Sequence, residues 1–296
     1  MNKDNYINSH LLIETHELND VLFSKQQRII DCNVEMGYPK EGGYDIKSGH
    51  SFFKESHIPG SLFLDLTADL SDQSSNLNFM LPSPAKFSSV IGKAGISNEH
   101  DIILYSKGAN YWATRLFLMF RAFGCENVRV LNGGWDKWCK ENRPTTDIVK
   151  VYPEEKFVTT LNPNQIISKS EVQKSRELEN TCLINALSPD VFSGKKFQPH
   201  YGRPGHIPGS LNLYSSDLIN KQDMRFLDAT SMIEKFKSLG VLEKHRVIAY
   251  CGGGISATTT VFALLLLGHE NVALYDGSLT EWGNDLDLPM ETLHNI

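Results

Sequence analysis

The sequence predicts an α/β protein made of two copies of one domain, each a mostly parallel sheet with helices on both faces. Duplication is the first observation behind this prediction. Three segments recur in the same order: "HIPGSLFLDL" (57–66) as "HIPGSLNLY" (206–214), "GISNEHDIILY" (95–105) as "GVLEKHRVIAY" (240–250), and "FGCENVRVLNGGWDKW" (123–138) as "LGHENVALYDGSLTEW" (267–282). The offsets of 149, 145 and 144 residues are domain-sized, so the repeat is not that of a solenoid.

Strand and helix patterns alternate within each half, which is the second observation. The predicted strands are "QRIIDCNV", "SLFLDL", "DIILY" and "VRVL" in the first half, and "TCLINAL", "SLNLY", "RVIAY" and "VALY" in the second. Helices are predicted at "SPAKFSSVIGKAG" and "TSMIEKFKSLG", the latter starting with a capping box of Ser231 and Glu234. A further helix in each half ends at Gly124 or Gly268. "DIILY" and "RVIAY" are continuous apolar runs, as expected of strands covered on both faces.

The connection between the two halves has the composition of a linker. "CKENRPTTDIVKVYPEEKFVTTLNPNQI" contains three prolines, mixed charge and no helical period. We therefore expect a first domain at 1–145, a linker at 146–161 and a second domain at 162–296.

Composition and charge narrow the class of function. The chain has 296 residues, 41% of them hydrophobic, a net charge of −6 and no tract rich in lysine or arginine, so nothing favours a nucleic-acid partner. "VFALLLL", the longest apolar run, is far shorter than the roughly 20 residues that span a bilayer, and no membrane partner is expected. The N-terminus lacks an apolar signal core, and a cytoplasmic location is expected. Five scattered cysteines without a CxxC pair indicate neither a disulfide framework nor a zinc site, and no metal or cofactor is expected.

One cysteine has an unusual neighbourhood. Cys251 follows the strand "HRVIAY" and is followed by three glycines and the helix "SATTTVFALLLLG". In a parallel sheet this turn lies at the ligand-binding end. Backbone N–H groups in a glycine-rich turn at a helix start stabilise an anion, so Cys251 is the candidate nucleophile. The alternative is a buried, inert thiol, which is the interpretation for the four other cysteines, Cys32, Cys125, Cys139 and Cys182.

The repeat provides an internal comparison for this loop. Ser106 lies opposite Cys251 in "YSKGANYWATR", so the first domain has kept the scaffold without the nucleophile. The loop is not a Walker A motif, because no Gly-Lys-Ser/Thr follows. It is not a C-x5-R phosphatase loop either, because Ala257 is the sixth residue after the cysteine.

These motifs resemble the two-domain sulfurtransferases, namely rhodanese (thiosulfate sulfurtransferase) and 3-mercaptopyruvate sulfurtransferase. The resemblance covers almost the whole chain and rests on "HIPGS" in both halves, "RVLNGGWDKW", "YDGSLTEW" and the loop "CGGGIS". It implies tandem rhodanese-like domains and a double displacement. By this resemblance, Cys251 is expected to take sulfane sulfur from a donor and pass it to cyanide, a thiol or a protein acceptor. The resemblance also implies that a persulfide cradle is formed by Gly252, Gly253, Gly254, Ile255 and Ser256.

The donor-binding residues depart from the family pattern. Thiosulfate enzymes typically have Arg-Lys after the cysteine and mercaptopyruvate enzymes Gly-Ser or Gly-Thr, whereas this chain has Gly252-Gly253. Two arginines of the mercaptopyruvate enzymes align with Val191 and His200. Arg203 is then a candidate anion clamp, with His200 and Lys195 as weaker candidates and a solvated loop charge as the alternative. Thiosulfate is the expected donor, and 3-mercaptopyruvate is the alternative.

A different class of function also fits a rhodanese-like chain. A non-catalytic binding or regulatory module would keep the fold and lose the chemistry. Retention of Cys251 with its glycines favours the enzyme, because a dead module would more closely resemble the loop at Ser106. Phosphatase activity is a distant third candidate.

Overall fold

The computed structural model describes residues 6–37, 39 and 43–293. Strands in the first half are β1 (Leu12–Ile13), β2 (Gln27–Asp31), β3 (Val34–Gly37), β4 (Asp45–Ser48), β5 (Leu62–Phe63), β6 (Asp101–Tyr105) and β7 (Val128–Leu131). Strands in the second half are β8 (Ile166–Ile167), β9 (Thr181–Asn185), β10 (Leu211–Asn212), β11 (Arg246–Tyr250) and β12 (Val272–Tyr275).

Helices connect these strands in both halves. The first half contains α1 (Thr15–Val21), α2 (His50–Glu55), α3 (Pro84–Lys93), α4 (Tyr111–Ala122) and α5 (Gly134–Lys140). The second half contains α6 (Lys169–Ser175), α7 (Pro189–Phe192), α8 (Ala229–Ser238), α9 (Ala257–Leu266) and α10 (Ser278–Trp282). Short 3-10 helices occur at Ser9–Leu11, Pro199–Tyr201, Ser215–Leu218 and Val241–Glu243.

Each half forms a five-stranded sheet, and every pairing within it is parallel. The order is β1-β7-β6-β2-β5 in the first half and β10-β9-β11-β12-β8 in the second, which is the same arrangement of equivalent strands. The predicted fold class and its duplication are therefore confirmed. An antiparallel hairpin of β3 and β4, found only in the first half of the described chain, was not predicted.

The alternation of side chains along the central strands divides the core into three parts. Ile102 and Leu104 on β6 join one large cluster that also holds Val247 and Ala249 of β11. The intervening side chains, such as Tyr105 and its equivalent Tyr250, point to smaller outer clusters with the helices behind each sheet. Because successive strand residues face opposite ways, each sheet is covered on both faces, and the inner faces share one core.

Two equivalent helices join the halves at the centre of the molecule. Nearly every residue of α4 and of α9 is buried, so neither helix has a polar face. The rings of Phe117 and Phe262 meet edge to face with centroids 4.7 Å apart. The Thr114 and Thr258 hydroxyls share a hydrogen bond of 2.7 Å. Thr114 and Thr258 are equivalent in the repeat, at the same offset of 144 residues as Gly124 and Gly268.

The expected linker has neither helix nor strand and lies against the first half. Phe157 is buried, with ring contacts to Phe87 and Phe120, and the Glu155 N–H donates to the Gly92 carbonyl at 2.9 Å. The exact domain boundaries stay a prediction. No helix in the described part of the chain is long and apolar enough to cross a membrane.

The start of α8 differs from the prediction. Asp228, not Ser231, is the N-cap, and its carboxylate accepts the Ser231 N–H at 3.0 Å. An aspartate is an equally good cap, and it adds a favourable charge at the helix N-terminus. The helix therefore begins at Ala229, and Ser231 lies in its first turn.

Candidate active site

Cys251 is the first residue after the central strand β11 and is only 2% exposed. Residues 251–256 then form the loop, which we call the cysteine loop, that leads into α9 at Ala257. Since β11 is the third strand of its sheet and all its neighbours are parallel, the loop lies at the carboxyl edge where such sheets bind ligands. The position predicted for the cysteine is the position observed.

Ser278 holds the cysteine loop in shape. Its hydroxyl accepts the N–H groups of Cys251 and Gly254, at 3.1 and 3.2 Å, and donates to the Tyr275 carbonyl. Ser278 has a φ of 50°, a left-handed conformation that is uncommon for residues other than glycine. Such strain persists where the surroundings enforce it, and here the strained residue supports the candidate nucleophile. Sequence reasoning missed this serine. The one available signal was the difference between the two halves, because the repeat places Ser278 opposite Gly134.

The three glycines of the loop have different roles. A Cβ on Gly252 would lie 2.1 Å from the Tyr201 hydroxyl. Gly254 has a φ of +73°, and a Cβ there would lie 2.6 Å from the Asp276 carbonyl oxygen. A Cβ on Gly253 would have only the Thr280 hydroxyl nearby, at 4.0 Å. Glycine is therefore required by geometry at 252 and 254, and not at 253.

Several backbone donors of the cysteine loop remain available to a ligand. The N–H groups of Gly252, Gly253, Ile255 and Ser256 make no hydrogen bond to any group in the described ranges, whereas that of Gly254 is taken by Ser278. Unpaired N–H groups beside a helix start are favourable to an anion. Of the five residues of the predicted cradle, four thus have an N–H group without a partner among the described residues.

A cavity of about 220 Å³ borders the cysteine loop and lies between the two halves. The first half contributes side chains from the β3–β4 hairpin, from the segment before α3 and from α4. The described residues that line the whole cavity are Met36, Gly43, Tyr44, Leu77, Asn78, Phe79, Tyr111, Leu187, His200, Tyr201, Cys251, Gly252, Gly253, Ile255, Ser256, Gly277 and Thr280. None of these carries an Arg, Lys, Asp or Glu side chain.

Three aromatic rings stand together in the wall of this cavity. His200 meets Tyr44 and Tyr201 edge to face, with centroids 4.3 and 4.2 Å apart, and the two tyrosine hydroxyls lie 2.7 Å from each other. The Gly43 N–H donates to His200 Nδ1 at 3.2 Å. Burial lowers the pKa of His200. Of the three predicted donor-binding residues, His200 is the one that lines the cavity.

Arg203, predicted as an anion clamp, is not among the described residues that line the cavity. Its guanidinium donates to the carbonyls of Gly283 and Asp285, at 2.9 and 2.6 Å, just beyond the end of α10. A cation is favourable there because the final carbonyls of a helix lack partners. Lys195 is also absent from the described cavity lining, and its exposed ammonium lies 3.7 Å from Asp190.

A buried ion pair links the first half to the cysteine loop. Arg115 of α4 pairs with Asp276, and it also donates to the carbonyls of Gly254 and Phe79. Asp276 accepts a further hydrogen bond from the Leu81 N–H at 2.8 Å. These contacts connect the segment before α3, helix α4 and the loop across the two halves. Sequence patterns contain no sign of this pair, because its members are 161 residues apart.

The equivalent loop of the first half is closed differently. The Ser106 N–H faces the Asn110 side-chain oxygen, and the Trp135 N–H donates to the Ser106 carbonyl, as Leu279 does to Cys251. A Cβ on Gly134 would lie 2.3 Å from Asn110 Oδ1, so no serine equivalent to Ser278 fits. The first half therefore keeps the same loop scaffold but lacks an equivalent of Ser278, the residue that supports Cys251.

The four other cysteines were interpreted as buried, inert thiols, and three of them are buried. Cys32, Cys125 and Cys182 are buried, and burial raises the pKa of each thiol, to about 11 for Cys125 and Cys182. Cys139 is exposed rather than buried. Among the described residues there is no cluster of three or more potential His, Cys, Asp or Glu metal ligands.

Comparison with known proteins agrees with this geometry. The family model of the rhodanese-like domain matches residues 14–141 and 170–285. A 3-mercaptopyruvate sulfurtransferase of Escherichia coli is 33% identical over 81% of this chain and 84% of its own. A protein of Haloferax volcanii named a putative thiosulfate sulfurtransferase is 33% identical over the same shares. The crystal structure of a 3-mercaptopyruvate sulfotransferase from Escherichia coli superposes with a TM-score of 0.78, at 27% identity, over 90% of this chain and 98% of that one.

Proposed function

Because this chain belongs to the two-domain sulfurtransferases of the rhodanese-like family, we propose that it transfers sulfane sulfur through a persulfide on Cys251. The Cys251 thiolate attacks the outer sulfur of a small donor, and the donor's remaining part leaves with the electron pair of the broken bond. Cyanide or a thiol, free or on a protein, then attacks the outer sulfur of the persulfide, and the Cys251 thiolate is released.

The arrangement of the cysteine loop is the observation that carries this proposal. Cys251 lies beside a cavity between the halves, and four loop N–H groups have no partner within the described chain. A persulfide anion on Cys251 is stabilised by such donors without a counter-ion. The loop is also fixed by Ser278 and Arg115, so little reorganisation is needed when charge moves onto the outer sulfur.

For the donor, the described lining of the cavity supports the alternative given by the sequence, 3-mercaptopyruvate. Arg203 and Lys195 are held elsewhere, and none of the described lining residues is a cation. Burying a charge without a partner is costly, and the cost is greater for a dianion than for a monoanion. We therefore place 3-mercaptopyruvate ahead of thiosulfate. A cytoplasmic location stays a prediction.

Substitution of the nucleophile tests the proposal. Cys251→Ser should abolish transfer to cyanide from both thiosulfate and 3-mercaptopyruvate, while far-UV circular dichroism stays that of the native protein. Ser106→Ala is the matched control at the equivalent position, and its kcat should stay within about twofold, or about 0.4 kcal/mol of barrier. Transfer that persists in Cys251→Ser would contradict the proposal and favour a non-catalytic role for this site.

A further inference from the structure

Thr280 of α10 holds one carbonyl of the cysteine loop with two donors. Its N–H and its Oγ1–H both donate to the Gly252 carbonyl oxygen, at 2.8 and 2.6 Å. The N–H is free for this contact because the first N–H groups of a helix have no partner within the helix. A carbonyl oxygen has two lone pairs, so both of its acceptor sites are filled.

The same contact sets the direction of the next N–H group in the loop. In a planar trans peptide, the C=O of one residue and the N–H of the next point in opposite directions. Because Thr280 holds the Gly252 carbonyl, the Gly253 N–H points away from α10. Gly253 lines the cavity, and its N–H has no partner within the described chain. The peptide is thus fixed with its donor free.

The first half has an aspartate at the equivalent position. The offset of 144 residues places Asp136 opposite Thr280. Asp136 Oδ2 accepts the Gly108 N–H at 2.5 Å, and the Lys107 N–H of the same loop donates to Asn33 Oδ1 at 2.6 Å. Side-chain oxygens therefore fill the loop donors of the first half. Threonine at this position in the second half binds a carbonyl instead and takes no donor.

We propose that Thr280 is a positioning residue for sulfur transfer. By holding the Gly252 carbonyl it directs the Gly253 N–H to the sulfur carried by Cys251. By being threonine rather than aspartate it leaves that donor open to the sulfur. Thr280 acts through the peptide and not by touching the sulfur. This inference rests on the proposed function and identifies a further residue on which that reaction depends.

The charge carried by Cys251 explains why the direction of one N–H group affects the rate. Cys251 reacts as a thiolate and holds a persulfide anion once it is loaded, and an N–H directed to the sulfur stabilises negative charge on it. A hydrogen bond to the Gly252 carbonyl also polarises the peptide, which makes its N–H a stronger donor. Loss of the Thr280 hydroxyl should therefore slow persulfide formation without weakening the binding of the sulfur donor.

Two conservative substitutions test this role. Thr280→Val keeps the shape and the backbone N–H and removes the hydroxyl, whereas Thr280→Ser keeps the hydroxyl. At saturating cyanide, Thr280→Val should lower kcat about tenfold and leave the KM for the sulfur donor within about twofold, and Thr280→Ser should keep kcat within about threefold of wild type.

The choice of sulfur donor distinguishes positioning from direct binding, since Thr280 also lines the cavity. The loss in Thr280→Val should be the same with thiosulfate and with 3-mercaptopyruvate, because the Cys251 sulfur is common to both reactions. An unchanged kcat, a loss confined to KM, or losses that differ more than about fivefold between the two donors would overturn the proposal.

The aspartate of the first half suggests a second test. Thr280→Asp should lower kcat at least about 100-fold, because its carboxylate would fill the Gly253 N–H as Asp136 fills that of Gly108. Thr280→Asn fills the donor without a charge and should lower kcat at least about 30-fold. Asp136→Thr is the matched control and should keep kcat within about twofold. A Thr280→Asn variant as fast as wild type would show that only charge repulsion slows Thr280→Asp, and would overturn the proposal.

The wild-type protein separates this inference from the proposed function. Intact-protein mass spectrometry detects the persulfide on Cys251, and far-UV circular dichroism shows that each slow variant is folded. If wild type forms the persulfide and passes its sulfur to cyanide while Thr280→Val is equally fast, this inference fails and the proposed function stands. If wild type forms no persulfide on Cys251 with either donor, both fail.

Discussion

At the scale of single residues, Gly253 is the position where we expect the donor preference of this site to be set. A Cβ there would have only Thr280 nearby, and the residue lines the cavity. The resembling thiosulfate enzymes typically have lysine at this position. Neither steric contacts nor backbone conformation require glycine at 253. The fold would therefore accept a lysine there, and its absence concerns donor binding rather than folding.

Gly253→Lys should therefore improve the use of thiosulfate. An ammonium beside the loop would pair with the dianion, and the KM for thiosulfate should fall roughly tenfold, which corresponds to about 1.4 kcal/mol of binding. Gly253→Met, of similar length and uncharged, is the control, and it should leave that KM within about twofold. Steady-state kinetics with cyanide as acceptor measures both. An equal improvement in the methionine variant would show that packing and not charge is responsible.

At the scale of secondary-structure elements, the two halves differ at the last residue of equivalent strands. Asp31 ends β2, and Asn185 ends β9. Both side chains accept a backbone N–H two residues on, at 2.9 Å. Burial raises the pKa of Asp31 to about 6, because the charged form is poorly solvated at that position. The second half avoids this cost by using the neutral isostere.

Asp31→Asn should stabilise the protein at neutral pH. The pKa of Asp31 is about 6 in the folded state, against an ordinary value of 3.8 in the unfolded chain, so the folded carboxyl binds its proton more tightly. The stability that this proton contributes is present below pH 3.8 and lost as pH rises through 6. The gain from Asp31→Asn should thus reach about 3 kcal/mol at pH 7.5 and vanish near pH 4.

Urea unfolding at these two pH values measures the effect, and the reverse substitution is the control. Asn185→Asp should destabilise the second half at pH 7.5 for the same reason that Asp31→Asn stabilises the first. A gain in Asp31→Asn that is equal at both pH values would show that the charge of Asp31 is not the cause.

At the scale of the whole molecule, the two halves are held in register at the candidate site by one buried ion pair. Arg115 on α4 and Asp276 after β12 are 1% and 6% exposed, and Arg115 also binds the Gly254 carbonyl. The same ion pair therefore contributes to the contact between the two halves and helps to hold the cysteine loop in its conformation. Removing one partner leaves the other charge buried without compensation.

A double-mutant cycle should reveal this coupling. Arg115→Met and Asp276→Asn should each lower the free energy of unfolding by about 3 kcal/mol or more, and the double variant should lose less than their sum. Unfolding monitored by tryptophan fluorescence gives the coupling energy, and Arg129→Met with Asp101→Asn provides a partly exposed pair for comparison. Additive losses at Arg115 and Asp276 would mean that the pair does not act as a unit.

The sequence predicted the central strands well and the edge strands only in part. Strands β6 and β11 were predicted to the residue, because an unbroken run of four apolar residues leaves few alternatives. Strands β1, β8 and the β3–β4 hairpin were not predicted. The first two have two residues each, and the hairpin strands carry charged or polar residues on exposed faces. Such short segments have no periodicity of their own and pair only where a neighbouring strand is already in place.

The sequence by itself determined the duplicated α/β fold, the family and the position of Cys251 at the carboxyl end of a central strand. These depend on local patterns of apolar residues and on a repeat, both of which are properties of the chain alone. Only the tertiary structure decided which polar groups meet. Arg203 was expected in the cavity and instead binds the end of α10, while Tyr44 and Phe79 reach the cavity from the other half. A side chain's partner depends on contacts between residues far apart in the chain, and hydrophobic periodicity contains no information about them.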